Sequence, residues 1–341
     1  MRILLDVMGA DNPPRVIIEG AVRAKEKISS DITLVGDEKI IRGVLSECGA
    51  SEGEFDIAHS DTFITMEDSP LCVVKDKKDS SMGRALTLLA EGKGDAVVSC
   101  GNTGALFSGA TLIVRRAKGV RRAALATVLP YRNNVMLLDS GANVTVTPDY
   151  FVHFAHLGSA YMKKVYGIEN PRVAIVNNGE EAHKGTPLVL EAKQLLLQEK
   201  NVNYIGSVEG QQLPCNACDV ALCDGFTGNA ILKASEGLAT YIPEFTKNLI
   251  DANQAADENT RRIIDGVCRR FDFKEYGGAV MLGISKPVVK AHGRSDAHAL
   301  ENALLCAENY IKADVIGDFE KAAEDINVRP IIPPKHGGED K

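Results

Sequence analysis

The stretch Asp95-Ala-Val-Val-Ser-Cys-Gly-Asn-Thr-Gly-Ala105 carries the pattern from which the fold is read. An apolar run short enough for a buried strand stops at Ser99. A turn holding Gly101 and Gly104 follows, and an apolar helix starts near Thr103. A buried strand that feeds a helix through a glycine-rich turn is the repeating half of a parallel α/β fold.

The same order recurs along the chain. Ile3 to Val7 reads as a strand and Pro13 to Lys27 as a helix with proline in its first turn. Ile32 to Val35, Arg172 to Asn177, Val202 to Gly206 and Val220 to Cys223 read as further strands. Ala124 to Leu129 and Val135 to Leu138 read as a pair around the turn 130–134. The expected fold class is α/β, a mostly parallel sheet between layers of helix, with residues 1–330 as one catalytic domain with a cleft. Residues 243–273 carry no strand pattern and read as a helical projection with a turn near 252–257. Its apolar face suits a dimer partner or a membrane surface. Residues 331–341, rich in Pro, Gly and charge, read as a flexible tail.

Composition narrows the function. The chain has 341 residues, 45% apolar and 25% charged, ample for a large core. It has no Trp, and aromatic residues make up 5% of the chain, so binding by base stacking to a nucleic acid is not expected. A net charge of −7 also argues against a polyanion binder. The eight cysteines are irregularly spaced, which suits buried reduced thiols rather than a disulfide framework. The short, charge-broken start Met1-Arg-Ile-Leu-Leu-Asp6 does not read as a signal peptide. No apolar run is long enough to span a membrane, so a cytoplasmic protein is expected.

Six polar turns follow or join these strands: Asp6 to Asp11, Ser99 to Ala105, Asp139 to Asn143, Asn177 to Thr186, Asp224 to Asn229, and Lys290 to Asp296. One such turn alone is ordinary punctuation. Six of them, at the strand ends where α/β sheets place their ligands, argue for a ligand cleft. Glycines expose backbone amides to an anion, Asn and Thr add donors, and Lys184, Lys290 and Arg294 add positive charge. The sum suits phosphate or a developing oxyanion. The aspartates Asp6, Asp139 and Asp224 have an equally good reading as caps and braces. Established phosphate motifs do not fit: Lys184-Gly185-Thr186 lacks the glycine that precedes lysine in the P-loop, and no Gly-x-Gly-x-x-Gly opens a helix. Cys215-Asn-Ala-Cys218 with Cys223 lacks the partners of a zinc site. Cys100 is read as a buried thiol rather than a nucleophile. Arg115, Arg116, Lys118, Arg121 and Arg122 pack five cations into eight residues, either as a solvated helix end or as a dock for an acidic protein.

Together these turns resemble the phosphate acyltransferase family of bacterial phospholipid synthesis, also called PlsX. The resemblance runs in order through Asp6-Val-Met-Gly-Ala-Asp11, Gly101-Asn-Thr-Gly-Ala105, Asp139-Ser-Gly-Ala-Asn143, Gly179-Glu-Glu with Lys184-Gly185, Asp224-Gly-Phe-Thr-Gly-Asn229, and Tyr276-Gly-Gly-Ala before Lys290-Ala-His-Gly. Cys100 departs from the pattern, where alanine is expected. The resemblance implies a three-layer α/β/α sandwich like that of the isocitrate and isopropylmalate dehydrogenases, with the helical projection near a homodimer interface. It implies transfer of a fatty acyl group from acyl carrier protein to inorganic phosphate, giving acyl phosphate for phospholipid synthesis. It also implies loose peripheral membrane contact and no metal or organic cofactor.

On that footing Lys184, His292, Asp224 and Asn229 are the expected catalytic residues. Asp6, Gly9, Gly101, Asn102, Thr103, Gly104, Asn143, Gly179, Glu180 and Glu181 are expected to bind phosphate and the acyl thioester. The Arg115–Arg122 cluster is expected to dock the carrier. Phosphate is already a nucleophile and a thiolate a fair leaving group. The protein's task is therefore to juxtapose the reactants and stabilise the oxyanion, by direct attack without an acyl-enzyme. Three rivals remain at this stage: an acyl-CoA donor, a decarboxylating nicotinamide dehydrogenase on the same fold, and a non-catalytic membrane scaffold.

Overall fold

The computed structural model describes residues 1–11, 14–51, 53–253 and 257–325. The expected tail and the centre of the expected turn at 252–257 lie outside the described residues. One sheet of eleven strands contains β1 (Arg2–Asp6), β2 (Asp31–Gly36), β3 (Asp56–His59), β4 (Ala96–Ser99), β5 (Ala124–Leu129), β6 (Val135–Leu138), β7 (Arg172–Val176), β8 (Asn203–Val208), β9 (Val220–Leu222), β10 (Ala279–Leu282) and β11 (Val288–Lys290), in the order β3-β2-β1-β4-β11-β10-β5-β6-β9-β7-β8. The helices are α1 (Pro14–Lys25), α2 (Glu38–Glu47), α3 (Ser81–Ala90), α4 (Thr103–Gly109), α5 (Pro148–Tyr166), α6 (Pro187–Leu196), α7 (Gly225–Asn253), α8 (Glu258–Phe271), α9 (Ala297–Lys312) and α10 (Val315–Asp325).

Seven ladders are parallel, as the apolar runs predict. The three antiparallel ladders join β11 to β10, β10 to β5 and β5 to β6. They change the geometry. Strands β1 to β5 and β11 run one way; β10, β6, β9, β7 and β8 run the other. The carboxyl ends Asp6, Ser99 and Lys290 therefore lie on one rim, while Leu138, Val176 and Leu222 lie on the opposite rim. The six polar turns do not share a single rim, as a uniformly parallel sheet would have required.

Strand alternation sends side chains to two different environments. On one face, Ile3, Leu5, Val98, Ala126, Met136 and Ile175 join a single core that runs the width of the sheet under α1, α5, α6, α9 and α10. The other face carries two separate cores. One holds Leu4, Val97 and Leu125 against α3 and α4; the other holds Leu129, Leu137 and Ala174 against Leu232 of α7. The break falls on β5, where Leu125 belongs to one cluster, Leu129 to the other, and Thr127 stands between.

The helical projection begins earlier than its sequence pattern suggested. Helix α7 starts at Gly225 and runs 29 residues, with Pro243 inside it. Its first turns are wedged into the fold. A Cβ at Gly228 would lie 1.9 Å from the Asp139 carbonyl oxygen, and one at Gly225 would lie 2.7 Å from that of Asn143. Only glycine allows this approach. Asp224 caps the helix, accepting from Thr227 N–H and Oγ1 at 2.9 Å each. Farther out, Leu238, Tyr241, Ile242, Phe245 and Leu249 recur at helical spacing and are exposed, beside exposed Ile263 and Val267 of α8. Tyr241 and Phe245 stack at 5.6 Å. Arg270 of α8 donates to the carbonyls of Tyr131 and Arg132, tying the projection to the β5–β6 turn. Among the described residues no helix is long and apolar enough to cross a membrane.

Candidate active site

A cleft of about 1150 Å³ opens over β5, where the second face loses its cover. Leu125 and Thr127 of β5, Ala279 of β10 and Lys290 of β11 line it. Thr103 of α4 stands on one side, and Asn229, Leu232 and Lys233 of α7 on the other. The turns after β6 and β11 contribute Ser140, Gly141, His292 and Arg294. The antiparallel centre of the sheet thus brings strand ends from opposite rims to one place. Six cationic side chains line the cleft (Lys233, Lys247, Arg269, Lys274, Lys290 and Arg294) against the carboxylates of Glu236, Asp265 and Asp272. In a chain of net charge −7 this is a local positive field, suited to an anionic substrate.

The inner part of the cleft is built on one row of the sheet. Asp6 pairs with Ser99, Ser99 with Lys290, Lys290 with Ala279, and Ala279 with Thr127. Ser99 Oγ donates to Asp6 Oδ2 at 2.7 Å and accepts from Gly101 N–H at 3.0 Å. Lys290 Nζ donates to the carbonyl of Cys100 at 3.2 Å and also to that of Ala291. Thr127 and Ser140 share a hydroxyl–hydroxyl bond of 2.8 Å, and Ser140 also donates to the Leu125 carbonyl at 3.0 Å. These groups are almost sealed: Asp6 is 1% exposed and Lys290 8%. Burial raises the Asp6 carboxyl to about 6 and lowers the Lys290 ammonium below its usual value.

His292 stands at the mouth. Its Nδ1 accepts from Arg294 N–H at 3.1 Å, so the neutral ring carries its proton on Nε2. The ring keeps solvent contact, yet loss of water around it lowers its pKa, with Glu236 and Lys233 acting in opposite senses. It is therefore neutral at pH 7 and can donate from Nε2.

Of the expected site residues, His292, Asn229 and Thr103 line this cleft. Several others brace it. Asn102 caps α4, accepting from Ala105 N–H at 3.0 Å, and its amide donates to the carbonyls of Thr65, Met66 and Asp68. Asn143 donates to Ala123 O and Asp139 Oδ2 and accepts from Arg122 Nε. Asp139 gathers the amides of Leu125, Gly141, Ala142 and Asn143. Gly9, at φ +72°, and Gly104 are glycines because Ile64 O and Pro70 press on them, and Gly101 lies against Met82. Asp224 serves as the α7 cap. Asp224, Asn143 and Asn102 have polar atoms bonded within these turns, Gly9 packs its backbone against Ile64, and none of the four lines the cleft. Asp6 lies behind the cleft, beside Lys290.

Gly179, Glu180, Glu181 and Lys184 follow β7 and are not among the residues lining the cleft. Their turn is held by Asn177, which donates to the carbonyls of Gly179 and Lys184, and by Lys193, which donates to those of Glu181 and Ala182. In the basic stretch, Arg115 ends a π turn (Ala110–Val114) and is exposed with Arg116 and Lys118. Arg121 instead pairs with buried Asp149 at 3.3 Å, and Arg122 donates to Asn143. Cys100 is fully buried and its thiol is raised to about 11 by burial.

Thr127 is a cleft residue that the sequence pattern did not single out; Ser140 and Gly141 lie in the polar turn 139–143 but were not among the expected site residues, and Lys290 stood out there only as a source of positive charge. The lone threonine among the apolar residues of β5 was the one mark of the break in the core.

The layered α/β fold is shared with phosphotransacetylases. A phosphotransacetylase from Streptococcus pyogenes superposes with a TM-score of 0.64 at 15% identity, covering 92% of this chain and 94% of that one. A 4-hydroxythreonine-4-phosphate dehydrogenase from Klebsiella pneumoniae shares the fold at a TM-score of 0.52 and 13% identity, covering 91% and 98%. The family model described as fatty acid synthesis protein matches residues 1–317, and the chain belongs to that family. Phosphate acyltransferases from Thermoanaerobacter pseudethanolicus and Clostridium perfringens are each 39% identical over 331 residues, 96% of this chain and 98% and 97% of theirs. The chain is an acyltransferase of fatty acid and phospholipid synthesis.

Proposed function

We propose that the enzyme transfers a fatty acyl group from the thioester of acyl carrier protein to inorganic phosphate. A phosphate oxygen attacks the thioester carbonyl; the C–O bond forms, the C–S bond breaks, and the carrier thiolate leaves and is protonated. The products are acyl phosphate and free carrier. The observation that carries this reading is the cationic cleft over Thr127 and Lys290 in a chain so similar to phosphate acyltransferases. Neutral His292 supplies a proton donor for the departing sulfur or the oxyanion. Asn229, across from Gly141, orients the acyl group. Cys100 is not a nucleophile: a thiol held near pKa 11 and out of solvent has almost no thiolate at neutral pH.

The carrier, an acidic protein, docks on Arg115, Arg116 and Lys118. The exposed apolar face of α7 and α8 pairs with a second copy, and its outer end touches the membrane that receives the product. The enzyme works from the cytoplasm. The test is phosphate-dependent release of carrier thiol from palmitoyl-carrier, in wild type, Asn229→Ala and His292→Ala. Release by wild type that falls at least tenfold in both variants, with folding intact, supports the reaction and its place (order of magnitude for one transition-state hydrogen bond, about 10²-fold). No release from wild type at any phosphate concentration refutes it.

A further inference from the structure

We propose that the floor of the cleft is a built subsite for a tetrahedral oxyanion, made by the Lys290 ammonium and the Thr127 hydroxyl with Ser140 fixed beside it, and that buried Asp6 is its positioning residue. The inference rests on the reading of the enzyme as a phosphate acyltransferase and names where the phosphate sits.

Three observations converge. First, Lys290 is 8% exposed, Thr127 9% and Ser140 1%, yet all three line the cleft. A buried ammonium is costly unless a partner compensates it, and two carbonyls, those of Cys100 and Ala291, are dipoles and not counter-charges. An ammonium has three donors, so one remains for a ligand. Second, Thr127 and Lys290 stand in the same row of the sheet, each paired with Ala279, so their spacing is fixed by backbone ladders rather than by loops. Ser140 is bonded to Thr127 and to the Leu125 carbonyl, which fixes its hydroxyl beside the row. Third, this polar set sits at the break between two apolar clusters, where strand alternation calls for a leucine-like residue.

Asp6 completes the device without touching the cleft. Its carboxylate accepts from Ser99, Ser99 accepts from Gly101 N–H, and this bracing fixes the Cys100 carbonyl on which Lys290 rests. The charged or titratable groups facing Lys290 are Asp6, Asp11, Cys100 and Lys233. A bound dianion adds counter-charge at the floor; its oxygens accept from Lys290 and from Thr127 Oγ1, whose one proton turns from Ser140 to the ligand while Ser140 stays on the Leu125 carbonyl.

Inorganic phosphate and the phosphate of a carrier's prosthetic arm share this chemistry, and the experiment separates them. Inorganic phosphate alone is titrated calorimetrically into wild type, Lys290→Met and Thr127→Val, with free phosphopantetheine as competitor. Phosphate is expected to bind wild type and to bind each variant about tenfold or more weakly, while the KM for the acyl donor moves less than about twofold. Asp6→Asn is expected to raise the KM for phosphate with the same donor indifference, which a merely structural role would not produce. Displacement of phosphate by phosphopantetheine at comparable concentration assigns the floor to the prosthetic arm and overturns the inorganic-phosphate site. Unchanged phosphate affinity in Thr127→Val, which keeps the side-chain shape, overturns the subsite even if Lys290→Met fails to fold, and leaves the acyl-transfer reading standing. Absence of phosphate binding together with absence of phosphate-dependent thiol release in wild type overturns both.

Discussion

Asp6→Asn is expected to make the protein more stable and less active. Burial raises the Asp6 carboxyl from 3.8 to about 6. A tenfold change in an acid constant corresponds to about 1.4 kcal/mol, so keeping this carboxylate ionised above pH 6 costs the fold about 3 kcal/mol. The folded pKa lies above the unfolded one. The Asp6 contribution is therefore fully present with the carboxyl protonated, below 3.8, and is lost as pH rises through about 6. Asparagine removes the charge, and with it the penalty. It also places an amide where the carboxylate accepts from both Ser99 and Met8 N–H, and losing one acceptor costs about 1 kcal/mol. The net is about 2 kcal/mol in favour of the variant at pH 7.5, or about 3 °C in midpoint for a chain of this length. The assay is urea and thermal unfolding of both proteins at pH 4.5 and pH 7.5. The gap is expected to be wide at pH 7.5 and to shrink or reverse at pH 4.5. A gap independent of pH, or a variant less stable at pH 7.5, would refute the reasoning that Asp6 is ionised at a cost.

Glu308→Ala is expected to destabilise by about 3 kcal/mol or more, because its Oε1 accepts from the amides and hydroxyls of Ser29 and Ser30 at 2.8–2.9 Å and all four donors lose their partner. Burial opposes ionisation there, but the Lys312 and serine donors prevail and bring the pKa to about 2, so this contribution is present above 4.5 and fades as pH falls towards 2; urea unfolding at pH 7 and pH 3 measures it. If the exposed apolar face of α7 pairs with a second copy as proposed, wild type sediments as a dimer, and replacing Tyr241, Phe245 and Leu249 together with serine is expected to give monomers with helix content unchanged. The double change Arg115→Glu, Arg116→Glu is expected to raise the KM for acyl-carrier about tenfold at low salt, with a smaller effect at high salt and none on the KM for phosphate, measured by thiol release.

Most strands were legible because a parallel strand covered on both sides reads as an unbroken apolar run, as in Ala96–Ser99 and Arg172–Val176. The missed ones explain themselves. β3 is a half-exposed edge strand, and β11 has three residues next to a polar turn. Missing β10 hid the strand that joins β11 to β5 antiparallel to both, while the reversal between the two halves of the sheet falls at the β5–β6 pair, whose turn the residues do mark. The glycine-rich turns were found, but a side-chain amide or carboxylate reads the same whether it meets a ligand or a backbone N–H. Asn102, Asn143 and Asp224 bond neighbouring backbone whereas Asn229 lines the cleft, a difference of tertiary placement that residue type does not carry.

Thr127 shows how a small sequence irregularity positions the whole site. In Ala124-Leu-Ala-Thr-Val-Leu129, the even positions feed the continuous core, and an apolar residue at 127 would let the clusters at Leu125 and Leu129 meet. A hydroxyl there, bonded to Ser140, gives the gap a polar floor that neither α4 nor α7 can cover with its apolar stripe. The helices part, Asn229 and Thr103 face each other across the opening, and Lys290 is left at its base resting on carbonyls. The fold leaves the Lys290 ammonium at the base of the cleft on two carbonyls with one donor to spare, and part of the binding free energy of an anionic substrate comes from supplying the opposite charge there.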